Sequence, residues 1–209
     1  MDFTAARKAM VDSQVRVNDV TDRHLQAAML GVERERFCAP GRAFAAYVDA
    51  PVEIAGDRKL LPARDVAKLL QAAEAKEGER ALAIAAPYAA AVLARMGLAV
   101  TAQEADPAVF EVVGEALAAE GVQTVTAPLD QADGEGWDLI VCEGGVPALP
   151  ESWGAALRPG GRMVVVERTG AVGKAALFVK GAHGLSRREL FDSAPAVLAA
   201  LAPAPTFAL

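Results

Sequence analysis

Apolar positions along this chain fall into two alternating patterns. Short, nearly continuous apolar runs at 81–85, 98–103, 123–127, 138–142 and 162–167 predict strands buried on both faces. Between them lie stripes spaced three and four apart. They predict helices over 88–96 and 107–120, the second carrying Val109, Val112, Val113, Ala116 and Leu117, with a short helix near 150–157. Upstream, Pro62 suits the first turn of a helix carrying Val66, Leu69, Leu70 and Ala73, with Gly78 as its stop. Strand–helix alternation of this kind predicts an α/β fold with a mostly parallel central sheet covered on both faces.

The ends of the chain read differently. The first fifty residues are helical in pattern, with Thr21-Asp22 capping a helix that carries Leu25, Ala28, Met29 and Val32. Pro40-Gly41 breaks that segment, and 46–61 reads as irregular or short-stranded. An N-terminal helical and linker segment, 1–61, is therefore expected to pack on a main domain, 62–209. Two late runs, "AALFVK" and "LSRRELF", predict an antiparallel hairpin closing the sheet, followed by "PTFAL".

Composition narrows the function classes. Hydrophobic residues make up 53% and charged residues 23%, a globular balance. A net charge of −6 disfavours nucleic acid and anionic membrane as partners, and Arg187-Arg188 with Lys174 and Lys180 reads as a solvated edge. Cys38 and Cys142 lack metal-ligand spacing and read as reduced core thiols. His24 and His183 are too few and too separated for a histidine metal site. No apolar leader is recognised at the N-terminus, Pro87 and Arg95 argue against a membrane span at 81–100, and a cytoplasmic protein is expected.

Candidate chemistry sits where a doubly wound sheet places ligands, beyond the carboxyl ends of its strands. After the first run, where many such folds hold a phosphate or nucleotide on glycines, this chain has Ala85-Ala86-Pro87. After the second stands Glu104, about twenty positions on, suited to accept hydrogen bonds from a ribose diol. An equal alternative makes it a solvated loop carboxylate ahead of an Asp106-Pro107 helix cap. After the fourth comes Glu143-Gly144-Gly145, either a close backbone approach to a ligand or a tight turn.

Several ordered stretches carry a resemblance. "MVDSQVRVNDVTD", "VERERFCAP", "WDLIVCEGGVPALPE", "LRPGGRMVVV" and "LSRRELFD" are similar, in order and spacing, to segments of the protein-L-isoaspartate O-methyltransferase family in its short bacterial form. The resemblance implies a Rossmann-like methyltransferase fold, S-adenosylmethionine as cofactor, and a protein carrying isoaspartyl residues as substrate. It implies cofactor contacts at Ala85, Ala86, Glu104, Glu143 and Gly144. The chemistry it implies needs no general base, because the sulfonium activates the methyl group and the nucleophile is already ionised. No catalytic side chain is expected, and positioning is nearly the whole task.

Two departures bear on that task. The family's D-x-G-x-G-x-G turn is replaced, with Ala83 at the acidic position and Ala85-Ala86-Pro87 at the glycines. Leu61 falls at the position of the family serine that lies near substrate, in "GDRKLLPAR". Two readings follow: a pseudo-methyltransferase that binds or scaffolds a protein partner with impaired cofactor binding, or an active carboxyl methyltransferase repairing isoaspartyl residues.

Overall fold

A computed structural model describes residues 2–202. "PTFAL" lies outside the described residues. Helix α1 spans Phe3–Met10 and runs through a π-type turn, Val11–Val15, and a 3-10 turn, Arg16–Asn18. Helix α2, Arg23–Gly31, starts where expected: the Asp22 carboxylate accepts from the amides of His24 and Leu25. The 46–61 stretch contains a small antiparallel hairpin of β1, Val52–Ala55, and β2, Arg58–Leu60.

The main sheet follows. Its elements are α3 (Ala63–Ala73), β3 (Arg80–Ile84), α4 (Pro87–Arg95), β4 (Ala99–Glu104), α5 (Pro107–Ala119), β5 (Gln123–Thr126), β6 (Trp137–Val146), α6 (Glu151–Ala156), β7 (Leu157–Glu167), β8 (Gly173–Gly181) and β9 (Gly184–Ser193). The strand order is β5-β4-β3-β6-β7-β8-β9. Pairs from β5 to β7 are parallel, and β8 and β9 add the antiparallel hairpin read from the sequence. The switch point, where chain order reverses, lies between β3 and β6.

Continuous apolar strands are explained by burial on both sides. Ala81, Ala83, Leu139, Val141 and Val164 face one core, which also takes Met10, Val15, Met29 and Phe37 from the N-terminal segment and Val92 and Val113 from α4 and α5. Leu82, Ile84, Ile140, Cys142, Met163 and Val165 face a second core with Trp153 of α6 and Leu198. The period-two alternation is hidden in the sequence because both faces need apolar residues. Among the described residues, no helix is long and apolar enough to cross a membrane.

Boundaries differ from expectation in several places, and β7 already begins at Leu157 rather than at 162. The first strand ends at Ile84, and Ala85 turns the chain with a φ of 49°. Helix α3 stops at Ala73, before Gly78, through left-handed Glu74. The fourth run does not end at residue 142: β6 continues through Gly144 and Gly145 to Val146. Those glycines are strand, not a turn, because a later segment lies on them. The amide of Gly145 donates to Ala196 O and that of Leu198 to Gly145 O, forming a parallel bridge between Gly145 and Val197.

Candidate functional site

The cleft over the switch point is bounded by the β3–α4 turn, the ends of β4 and β6, the β1–β2 hairpin and the 194–198 segment. Every residue from Ala81 to Leu93 is buried, including Ala85, Ala86 and Pro87. Pro87 opens α4 at its first turn, where its missing N–H costs nothing. Ala85 keeps a left-handed backbone although it carries a Cβ. The turn thus has the bend a glycine would give, packed under protein atoms.

Glu104 occupies the end of β4 as expected, but it does not face solvent or an open groove. It is 1% exposed, and its Oε2 accepts from Arg58 Nε at 3.0 Å. Arg58 is itself 5% exposed and also donates to Asp57 at 2.8 Å. Burial pushes the Glu104 carboxyl up to about 7, against the opposing pull of Arg58. Asp106 and Pro107 do cap α5, with the Asp106 carboxylate accepting from the amide of Ala108.

Glu143 reaches the N-terminus of α4. Its Oε1 accepts from the Ala89 amide at 2.6 Å, capping the helix from another strand. The side chain is wholly enclosed, which raises its carboxyl to about 7, while Arg34 pulls it back down. Arg34 is fully buried, lies 4.5 Å over the Tyr88 ring, and donates to Ala46 O and Leu61 O. Among the described residues, Glu143 Oε2, Glu104 Oε1, Arg34 Nη1 and Tyr88 Oη meet no hydrogen-bond partner of good geometry. Tyr88 is correspondingly driven up to about 12 by burial.

Gly144 and Leu61 complete the set. A Cβ on Gly144 would fall 2.6 Å from Leu198, whose side chain occupies the space above that backbone. Leu61 is buried beside Glu143 and Gly144, lining with them a cavity of about 230 Å³. Its side chain offers no donor or acceptor where a hydroxyl was implied.

The structure therefore brings Ala85, Ala86, Glu104, Glu143, Gly144 and Leu61 to one end of the sheet. Sequence reasoning missed what fills the space among them: Arg58, Arg34, Tyr88 and Leu198. Arg58 in "GDRK" and Arg34 in "VERERF" sit among charged neighbours, and no local signal marks either as buried. One oxygen of Glu104 is engaged by the Arg58 guanidinium, the Ala89 amide of α4 is engaged by the Glu143 carboxyl, and the turn beneath is covered.

Residues 5–188 match the family described as protein-L-isoaspartate(D-aspartate) O-methyltransferase. Protein-L-isoaspartate O-methyltransferase 1 of Rhodopseudomonas palustris (strain HaA2) is 37% identical over 172 residues, covering 78% of this chain and 69% of the relative. The Methylorubrum extorquens (strain PA1) protein of that description is 35% identical over 173 residues, covering 78% and 75%. A solved protein-L-isoaspartate O-methyltransferase superposes with a TM-score of 0.78 at 21% identity, over 92% of this chain and 65% of its own. A candidate enzyme of that kind from Plasmodium falciparum, in complex with S-adenosyl-L-homocysteine, gives 0.78 at 17%, over 92% and 97%. At such identities the two structures speak for the fold.

Proposed function

Because this chain belongs to the protein-L-isoaspartate(D-aspartate) O-methyltransferase family, we propose that it is a member whose cofactor groove is closed by its own side chains, and that it acts on proteins by binding them. The observation that carries this reading is the buried Arg58–Glu104 pair at 3.0 Å. A guanidinium there engages Oε2 of the carboxylate that a ribose diol would otherwise meet. Glu143 does the corresponding thing at α4, its carboxyl accepting from the Ala89 amide at the helix terminus. Surface charge supports a protein rather than a nucleic-acid partner: Lys174 pairs with Glu189 and Asp192, and Arg187 with Glu167. Two free, buried thiols are in keeping with a reducing, cytoplasmic setting.

A second reading keeps the activity. The relatives named above are described as methyltransferases, and this favours a chain that esterifies isoaspartyl carboxylates in damaged proteins. That reading requires Arg58 and Leu198 to leave the groove. Isothermal calorimetry with S-adenosylmethionine, alongside transfer of a labelled methyl group to an isoaspartyl peptide, separates the two. The closed-groove reading expects no heat at submillimolar cofactor, no rise in melting temperature and no labelled peptide. Micromolar binding with peptide labelling would establish the second reading instead.

A further inference from the structure

Strand β3 ends at Ile84, opposite Cys142, while β6 runs on to Val146 beside β7. Beyond Cys142 the β3 side of β6 would be an unpaired edge, and residues 194–198 take it as a strap. Gly145 donates to Ala196 O at 2.8 Å and accepts from the Leu198 amide at 2.9 Å, the bonding of a parallel strand. Two features outside the strap are built for this approach. A Cβ on Gly145 would stand 3.1 Å from the carbonyl oxygens of Pro195 and Ala196, so only glycine lets the backbones come this close. Arg168 donates to the carbonyls of Ala194 and Pro195.

The side chains sort by burial. Of residues 194–198, only Pro195 and Leu198 are buried, and Leu198 packs over Gly144 in one core with Val146 and Trp153. The hold is thus main-chain hydrogen bonds plus a proline and a leucine three positions apart. Proteins that take extended peptides at a free sheet edge use the same division: backbone bonds for affinity, side-chain pockets for specificity. Nothing in these contacts requires the strap to be joined to β9. We propose that the strap is the resident occupant of a peptide seat, displaced when an extended, uncharged segment of a partner protein with Pro-x-x-Leu spacing adds to the edge of β6 at Gly145. The proposal rests on the reading that the chain acts by binding proteins, and it names the class of segment bound.

The probe is a labelled SAPAVLAAL peptide, the sequence of residues 193–201, which carries no carboxylate side chain. It is titrated by fluorescence polarisation into the full chain without S-adenosylmethionine, so failure here leaves the cofactor calorimetry to judge the closed-groove reading separately. In the parent the tethered strap competes at an effective concentration of about millimolar, and binding is weak. Leu198→Ala loosens the strap and should tighten peptide binding about ten-fold or more. N-methylating the peptide's leucine removes the donor to Gly145 O and should reverse that gain, as should adding Gly144→Ala, which fills the leucine's place. If Leu198→Ala does not fold, Arg168→Met loosens the strap through its other hold, and the N-methylated peptide decides. No peptide binding to the loosened variants at millimolar concentration, or equal binding of the N-methylated peptide, would overturn the proposal. Parent dimers that dissociate on Leu198→Ala would overturn it in favour of a second copy's strap.

Discussion

A single alanine holds the turn at the centre of this molecule in a conformation that disfavours side chains. Ala85 sits at φ 49° and is 2% exposed. The left-handed backbone costs an L-residue about 1–2 kcal/mol, and its buried methyl returns about 0.8 kcal/mol. Ala85→Gly should therefore leave stability within about 1 kcal/mol of the parent. Ala83→Gly, in the fully buried strand β3, loses its methyl and gains only chain entropy in the unfolded state. It should cost about 1.5 kcal/mol by urea denaturation, and equal costs at the two sites would contradict the strain argument. Arg58 is the other decisive residue. Arg58→Ala strands a buried carboxylate, a loss of about 3–5 kcal/mol for a broken buried pair. Glu104 titrates near 7, so that loss should be largest at pH 8 and shrink at pH 5.5, where the carboxyl carries its proton. A loss independent of pH would place Arg58's importance in packing.

Among the elements, the strands and helices of the main sheet were legible because their apolar patterns are long and their caps local. Asp22, Pro87 and Asp106 sit where caps belong. What was not legible is the 194–198 strap. Its hold on the sheet comes from backbone bonds to Gly145 and from Arg168, which donates to Ala194 O at 3.0 Å and to Pro195 O. Such bonds leave no residue-type signature. The same blindness hid the meaning of Gly144: its glycine answers to Leu198, far along the chain, rather than to a ligand or a turn. A double-mutant cycle tests this dependence. Gly144→Ala should be strongly destabilising alone and nearly neutral in the Leu198→Ala background, an interaction of about 1–3 kcal/mol. Additive effects in guanidinium denaturation would mean that the two residues do not share that space.

The molecule as a whole carries two carboxyls, Glu104 and Glu143, whose folded values near 7 stand above the usual 4.5. Between those values the folded state binds more protons than the unfolded state, so stability falls as pH rises from about 4.5 to about 7 and then levels. Glu79 and Asp138 act oppositely: both are lowered, despite burial, by hydrogen bonds with Arg162 for one and with the Arg80 amide and Arg158 for the other. Their contribution is lost at more acid pH. Thermal scans should therefore place the highest melting temperature near pH 5, with Glu143→Gln flattening the decline towards pH 8. A maximum at pH 8 would show that the buried carboxyls are better compensated than their surroundings indicate. The strap has one further consequence, for the order of events during synthesis. Residues 194–198 leave the ribosome only after every strand of the sheet has emerged, so a nascent chain can assemble its sheet with the mouth above β6 still open. Closure then becomes a late, separable step, and a chain stalled just past β9 would expose to chaperones or proteases a surface that the finished protein conceals.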